Sequence, residues 1–222
     1  MIFRKAREDD LTVVEMLAAA LRRDIAFGVH APDQKLKIED LRRRYGGSNH
    51  SMRETLRLLS AEGLVEATAQ RGFRVTSATA HDLRDIALVR SEIECIAMTR
   101  AMHRGDFAWE GRVVATHHGL QQTEAALAAA PDDLAALEWD RACFGFARAL
   151  VDACDSPRLL DLHRRLFDQS RRARLARMRE GRLDWAARKN RQDALLAAVL
   201  ARETDRAAGL LRDDIEDELA TT

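Results

Sequence analysis

The chain has few cysteines and no long apolar run, and both absences exclude whole classes of protein. Its three cysteines, Cys95, Cys143 and Cys154, are odd in number and widely spaced. They predict neither a disulfide framework nor a paired-cysteine metal site, so we expect buried, reduced thiols. No run of about 18 apolar residues could span a membrane, and the charged first ten residues do not resemble a secretion signal. We therefore expect a cytoplasmic protein with no membrane partner.

Proline, glycine and aromatic residues are also scarce, at 3 residues, 11 residues and 5% of the chain. Alanine, leucine, arginine and glutamate are common instead, and these residues lose little conformational freedom in a helix. We expect a mainly α-helical protein. With 46% hydrophobic residues in a chain of 222, one large or two small hydrophobic cores are possible.

The usual catalytic motifs are missing as well. The sequence contains no G-x-S-x-G motif, no phosphate-binding loop, no H-E-x-x-H motif and no Cys/His constellation. Because these arrangements supply nucleophiles, phosphate cradles and metal ligands to many enzymes, we expect that the chain is not an enzyme.

A net charge is absent, but the charge is unevenly distributed. The formal net charge is zero, yet residues 1–77 carry 14 Lys and Arg against 11 Asp and Glu, and the remainder carries 22 against 25. A small basic segment joined to a mildly acidic one suits a DNA-binding domain with a separate sensing or assembly domain.

The order of predicted elements in residues 1–76 is typical of a winged helix-turn-helix. Helical spacing covers residues 11–27, 38–45 and 49–62, and β-prone runs cover residues 64–68 and 72–76. Gly46 and Gly47 separate the second and third helices, and Ser48 is suited to cap the third. Three helices with a tight turn before the last, followed by a hairpin, describe this fold. Another small α+β domain with the same element order is an open alternative.

Residues 77–81 are a predicted linker, and beyond it the chain shows helical periodicity alone. The predicted helices span residues 82–104, 109–130, 131–154, 157–179, 183–202 and 204–219. Six helices of this length over residues 82–222 predict an antiparallel helical bundle.

Residues 21–75 contain a specific combination of motifs: Arg53-Glu54-x-Leu56, then Glu-Gly-Leu-Val at residues 62–65, then Arg-Gly-x-x-Val at residues 71–75. Together they resemble the GntR family of bacterial transcription regulators, and the resemblance implies an effector-binding or dimerisation role for residues 82–222. The second half resembles the FCD-type effector domain of the FadR-like subfamily, through residues 82–86, 146–150 and 207–211. This resemblance implies a repressor that binds a pseudo-palindromic DNA operator as a homodimer and responds to a small carboxylate or acyl metabolite.

The helix that begins at Asn49 is the predicted DNA-reading helix. Its first turn is polar, and such an end can enter the major groove, where base edges are distinguishable. Arg53 is the main candidate for a bidentate contact with guanine, and Asn49 for one with adenine. Ser48, His50 and Ser51 are candidates for base or phosphate contacts, or for helix capping. The resembled family usually has arginine at the position of Asn49, so the operator half-site is expected to differ from the one that is usual in that family.

Residues outside that helix are expected to hold the DNA backbone. Arg71, beside flexible Gly72 at the predicted wing tip, is a candidate for the minor groove or a phosphate. Lys37 and Arg43, with the neighbouring arginines Arg42 and Arg44, are expected to neutralise phosphates without reading sequence.

The resemblance also implies a divalent metal held by one Asp and three His, and this sequence departs from that pattern. Aligned on Phe146, the Asp position is Cys143 and the first His position is Ala147, while the later His positions fall near Gln192 and Asp214. A shift of register would supply Asp140 but no histidine. We therefore expect no metal and no other cofactor.

Without a metal, an anionic effector needs another cation inside the bundle. Arg90, Arg148 and Arg172 are the candidate effector-binding residues. An ion pair between Arg90 and Glu94 one helical turn away is an open alternative. A helical protein–protein adaptor with no effector is the competing function; it accounts for residues 82–222 but leaves the wing motif unexplained.

Overall fold

The computed structural model describes residues 12–68 and 72–220. The chain divides into two compact units, Met1–Ala78 and Thr79–Thr222, and each is described by itself. The predicted contributions of Leu11, Ala69, Gln70 and Arg71 lie outside the described residues.

The first unit contains three helices and a small antiparallel sheet among its described residues. Its elements are α1 (Val13–Ala26), β1 (Lys35–Leu36), α2 (Ile38–Tyr45), α3 (Asn49–Ala61), β2 (Val65–Thr68) and β3 (Gly72–Val75). The strand order is β1-β3-β2, with Lys35 opposite Arg74 and Val65 opposite Val75. The sequence predicted the hairpin but not β1, because two residues are too few to show the alternation that marks a strand.

Local side-chain chemistry fixes where α1 and α3 begin. Thr12 caps α1 by accepting from the backbone N–H of Glu15, whose carboxylate accepts from Thr12 in return. Ser48 caps α3 through the same exchange with Ser51. Each such cap satisfies backbone donors that a helix start leaves free.

The turn between α2 and α3 requires glycine. Gly46 and Gly47 both have φ of 81°, a region that side chains rarely adopt. A Cβ atom on Gly47 would also lie 3.0 Å from the Leu17 side chain and from Ser51 Oγ. Glycine at this point therefore sets the position of the start of α3.

All three helices and the sheet contribute to the core of the first unit. Its buried side chains include Leu17, Leu21, Ile25, Leu36, Leu41, Met52, Leu56, Leu59, Val65 and Val75. Each fully buried side chain of this size stabilises the fold by about 1.5–3 kcal/mol. Because Met52, Leu56 and Leu59 lie on one side of α3, the opposite side of that helix faces outward.

The described part of the second unit is a helical bundle, as predicted. Its helices are α4 (Ala80–Arg104), α5 (Phe107–Ala129), α6 (Asp133–Val151), α7 (Pro157–Arg179), α8 (Trp185–Leu200) and α9 (Thr204–Leu219), with a short 3-10 turn at Asp152–Cys154. Helix α4 packs against α7 and α9, α5 against α6, and α8 against both α5 and α9.

Several predicted helix limits differ from the structure because of capping. Helix α4 begins at Ala80 after the Thr79 cap, so residues 80–81 of the expected linker are helical. The predicted helix of residues 131–154 is wrong at both ends. Asp132, and not Pro131, caps the helix, which begins at Asp133. The last predicted turn is a 3-10 turn, and the residue after it, Asp155, has a left-handed backbone conformation. Helix α7 has the predicted bounds, with Ser156 as cap and Pro157 in the first turn.

The bundle interior is largely apolar but also contains a buried group of charged side chains. Trp109, Trp139, Met98, Leu120, Leu150 and Leu175 are almost completely buried. Arg90, Glu94, Asp140, Arg174, Arg188 and Glu218 are each at most 3% exposed. Cys95, Cys143 and Cys154 are free and buried, as the sequence predicted. Of the helices that the structure describes, none is both long and apolar enough to cross a membrane.

Candidate DNA-binding surface and internal cavity

The outward side of α3 carries the polar residues that the sequence singled out. Asn49, His50 and Arg53 are exposed, while Met52 and Leu56 are buried in the core. Asn49 and Arg53 are one helical turn apart, so they lie on the same side of the helix, about 6 Å apart at Cβ. The first turn of α3 therefore presents an amide, an imidazole and a guanidinium to solvent.

The guanidinium of Arg53 makes no hydrogen bond or ion pair with any residue that the structure describes. Arg57, one turn further along, differs because its Nη1 donates to Glu54 Oε1 at 2.5 Å. Arg53 is therefore the arginine of α3 whose five donors are available to an external acceptor.

Asn49 is held in one orientation by helix α2. Arg42 donates from Nη1 to Asn49 Oδ1 at 3.1 Å and from Nε to the carbonyl of Gly47 at 3.2 Å. One of the two lone pairs of the amide oxygen is thus used, and the Asn49 Nδ2 group is left to donate. The sequence grouped Arg42 with the phosphate-contacting arginines, and its bond to Asn49 was missed.

The two serines at the start of α3 bond to each other. Ser48 Oγ accepts from the backbone N–H of Ser51 at 3.0 Å, and Ser51 Oγ accepts from the backbone N–H of Ser48 at 2.8 Å. This arrangement is the helix capping that the sequence left open for them. His50 is exposed beside them.

The predicted phosphate contacts lie at exposed positions around α2. Lys37 is exposed immediately before this helix. Arg43 is 78% exposed and 3.6 Å from Asp40, a distance that leaves its guanidinium largely solvated. Gly72 opens β3, opposite Thr68 in β2. Arg71 lies outside the described residues, so its placement stays a prediction.

A buried carboxylate joins α1 to α2 behind this surface. Asp24 accepts from the Tyr45 hydroxyl at 2.6 Å and from Arg44 Nη2 at 3.1 Å. Burial raises the pKa of Asp24, but the hydrogen bonds from Tyr45 and Arg23 outweigh it and the pKa is lowered. His30 bonds to the same hydroxyl at 2.8 Å, and burial lowers its pKa. This network, which was not predicted, fixes the position of the arginine-bearing helix.

In the second unit, buried charged residues surround a cavity of about 20 Å³. Such a volume holds about one water molecule. Its apolar lining includes Leu120, Phe146, Leu150, Phe167, Leu195, Leu211 and Ile215. Its polar lining consists of Arg90, Glu94, Cys143, Arg188, Gln192, Asp214 and Glu218.

One side of the cavity is fully ion-paired. Arg90 donates to Glu94 at 2.7 Å and to Glu218 at 2.6 Å, and Arg174 donates to Glu218 at 2.6 Å. Arg174 is also paired with Asp140 at 2.5 Å. Burial alone raises the pKa of Glu218, but Arg90 and Arg174 outweigh this effect and lower the pKa to about 2. These bonds agree with the alternative in which Arg90 braces the helices.

The other side of the cavity is organised around Arg188. Its Nε donates to Glu124 Oε1 at 2.8 Å, and its Nη2 contacts Cys143 Sγ at 3.4 Å. Gln192, with its amide oxygen turned toward Arg188, accepts from Nε and Nη2 at 3.0 and 3.1 Å. Asp214 Oδ1 lies 3.9 Å from Nη1 and has no hydrogen-bond partner among the described residues.

The four positions that the resemblance assigns to metal ligands all line this cavity. They are Cys143, Ala147, Gln192 and Asp214, and they include no histidine. Within the described ranges, no three His, Cys, Asp or Glu side chains are arranged to hold a metal ion. Burial raises the pKa of Cys143 to about 12. The residues present do not fit the implied metal.

The candidate effector-binding arginines are separated in the structure. Arg90 lines the cavity. Arg148 on α6 pairs with Asp152 of the 3-10 turn at 3.0 Å and is not part of the cavity lining. Arg172 is half-buried and is not part of the lining either, and burial lowers its pKa. The sequence did not single out Arg188. The spacing to Gln192 could have identified it, because the two residues are one turn apart on α8 and share a face.

Two protein-family models match this chain. The model described as "Bacterial regulatory proteins, gntR family" matches residues 13–75, and the FCD domain model matches residues 85–217. The first match contains α1 to β3, with the exposed face of α3. The second contains the residues that line the cavity, except Glu218.

Two relatives are similar over most of their length. An uncharacterized HTH-type transcriptional regulator, BphR, of Paraburkholderia xenovorans (strain LB400) is 36% identical over 214 residues, which are 94% of this chain and 84% of that protein. The HTH-type transcriptional repressor GlaR of Escherichia coli (strain K12) is 36% identical over 198 residues, which are 88% and 89% of the two chains. Their names denote transcription regulators and not enzymes.

Solved structures share the fold. E. coli McbR/YncC has a TM-score of 0.72 at 18% identity, and the match covers 93% of this chain and 95% of that one. A transcriptional regulator GntR from Rhodococcus sp. RHA1 has a TM-score of 0.70 at 23% identity, with the same coverage. At these identities the similarity shows the architecture alone.

Proposed function

Because this chain belongs to the gntR family of bacterial regulatory proteins and carries an FCD domain, we propose that it is a repressor that binds a pseudo-palindromic operator as a homodimer. The single observation that carries the proposal is the exposed Arg53, which has no partner in the described part of the chain. An unpaired guanidinium at the start of an outward-facing helix is suited to bond an external acceptor in bidentate fashion.

Base reading is assigned to two side chains on one face of α3. Arg53 pairs with O6 and N7 of a guanine in the major groove. Asn49, whose oxygen accepts one hydrogen bond from Arg42, contacts a base mainly through its Nδ2 donors. Lys37 and Arg43 neutralise phosphates and add affinity that falls with salt.

Dimer formation supplies the length of DNA contact that one unit lacks. One helix reads a few base pairs, and a two-fold dimer places two such helices on related half-sites. Repression is proposed for this chain by analogy with GlaR, which is named a repressor.

Control by a small metabolite is assigned to the cavity of the helical unit. At about 20 Å³ the cavity is closed around one water-sized space, so a metabolite must displace its walls to enter. A ligand that binds an opened bundle better than the closed one shifts the population toward the open form, and this shift is the proposed signal to the DNA-binding unit.

The test is selection of bound fragments from random DNA by the full-length chain at two salt concentrations. We expect an enriched pseudo-palindrome with the wild type and none with Arg53→Ala. The matched control is Arg206→Ala, which removes an exposed arginine from the helical unit and should keep the enriched sequence. If the wild type enriches no sequence at either salt concentration, the regulator assignment fails and the helical adaptor becomes the better account.

A further inference from the structure

The internal cavity holds a cation of its own. Arg188 contacts Cys143 and Gln192 and lies within ion-pair distance of Asp214, three of the four positions that the family resemblance gives to metal ligands. We infer that the Arg188 guanidinium takes the place of a divalent metal in this chain and joins four helices of the bundle without one. This inference concerns the helical unit and is independent of DNA binding.

The contacts of Arg188 link four helices of the bundle. Glu124 lies on α5, Cys143 on α6 and Asp214 on α9, while Arg188 itself lies on α8. The guanidinium is planar and offers five donors in a fixed arrangement, so one side chain can bridge several acceptors in different directions. The Arg188 side chain is 4% exposed, which makes this bridge an internal one.

Charge pairing keeps Arg188 ionised despite its burial. Burial alone lowers the pKa of Arg188, but the nearby carboxylates of Asp214 and Glu124 raise it above its ordinary value. A buried charge is tolerated when it is paired and hydrogen-bonded, and the loss of one partner leaves the other uncompensated. Arg188 and Glu124 therefore depend on each other for their burial.

The same residues disfavour a metal at this point. Ala147 has no ligand atom, and the Gln192 oxygen is directed at the guanidinium. A divalent ion in this space would meet the fixed positive charge of Arg188 within a few ångströms, at a site of low dielectric where repulsion is strong. The positive charge of Arg188 and the missing ligands thus both argue against a bound metal in this cavity.

The first arm of the experiment tests the metal. The full-length chain is purified, its metal content is measured, and its thermal unfolding is recorded after EDTA treatment and after addition of Zn²⁺, Mn²⁺ or Mg²⁺ alone. We expect no stoichiometric metal and no change in Tm. One bound metal per chain, with a Tm that falls on chelation and recovers when the metal is returned, would overturn the inference.

The second arm tests the guanidinium. Arg188→Met should lower Tm by about 10 °C, because it leaves Glu124 buried and unpaired. The double variant Arg188→Met, Glu124→Gln should recover a large part of that loss, because the orphaned charge is removed. It also keeps the test decisive if the single variant does not fold.

The control for this arm is an exposed pair. Arg206→Met, alone and with Glu203→Gln, should change Tm by no more than about 2 °C, because surface pairs contribute little. Equal losses for the Arg188 and Arg206 variants, or a double variant in the cavity that is less stable than Arg188→Met, would show that Arg188 does not act as the central cation.

Discussion

Arg42 of α2 donates from Nη1 to Asn49 Oδ1 at 3.1 Å, so the helix before the turn fixes the amide that begins the reading helix. A free asparagine amide can pair with both N6 and N7 of adenine, because it offers a donor and an acceptor together. The bond from Arg42 takes one of the two lone pairs of the Asn49 oxygen and constrains how the amide can turn toward a base. The base preference at this position thus depends on a residue of another helix.

Arg42→Met should change the sequence preference of the proposed operator at one position in each half-site. Loss of the Arg42 bond frees the Asn49 amide to turn for bidentate pairing, so we expect adenine to become enriched there in fragments selected from random DNA. Arg43→Met is the matched control, and it should weaken binding to all sequences alike and lower the salt dependence. An Arg42→Met variant that is weaker but has the wild-type preference would contradict the proposed role of Arg42.

Arg53→Lys should separate charge from geometry. Lysine keeps the positive charge but cannot form the two parallel hydrogen bonds of a guanidinium, so it loses about 1–3 kcal/mol, roughly 5- to 150-fold in affinity, at one base pair. Titration of fluorescent operator DNA measures this loss. The variant should discriminate poorly against a change of the paired guanine, whereas a variant that retains full discrimination would exclude Arg53 from base reading.

Gly47→Ala should destabilise the first unit more than Gly46→Ala does. Both positions have φ of 81°, and backbone strain of this kind costs about 1–3 kcal/mol for a residue with a side chain. A Cβ on Gly47 also meets Leu17 and Ser51 at 3.0 Å, while one on Gly46 has no neighbour within 4 Å among the described residues. Urea unfolding of the two full-length variants measures the difference, and equal stabilities would rule out the steric contribution.

The sequence predicted elements well where helical spacing and caps agreed. Helices α2, α7 and α9 have the predicted bounds, because each combines a clear apolar face with a defined start or stop. Strand β1 was missed because its two residues are defined by pairing with distant β3, which local spacing does not reveal.

The candidate sites were predicted only in part. As for β1, the residues that were missed are defined by contacts with distant parts of the chain. The α3 motif located Arg53 and Asn49, because side chains within one helix have positions that spacing determines. The bond from Arg42 and the central place of Arg188 depend on contacts between helices. Because arginine is frequent throughout this chain, the sequence alone does not distinguish Arg188 from the other arginines.

Glu218 should make the stability of the helical unit sensitive to acid. Arg90 and Arg174 overcome the effect of burial and lower its pKa from 4.5 to about 2. A carboxyl group with a lowered folded-state pKa stabilises the protein above its unfolded pKa, and this contribution is lost as the pH falls through the folded value. The expected loss is about 3 kcal/mol in all, with about 2 kcal/mol of it gone by pH 3.

Glu218→Gln tests this contribution, because glutamine has nearly the same shape and no charge to lose. The free energy of unfolding is measured in urea between pH 7 and pH 3 for both proteins. The wild type should be the more stable at pH 7, and the difference should be constant down to about pH 5 and then narrow toward pH 3. Glu203→Gln, at an exposed pair with Arg206, should follow the wild-type curve. A difference for Glu218→Gln that does not change with pH would show that the ion pairs of Arg90 and Arg174 do not hold this carboxylate charged.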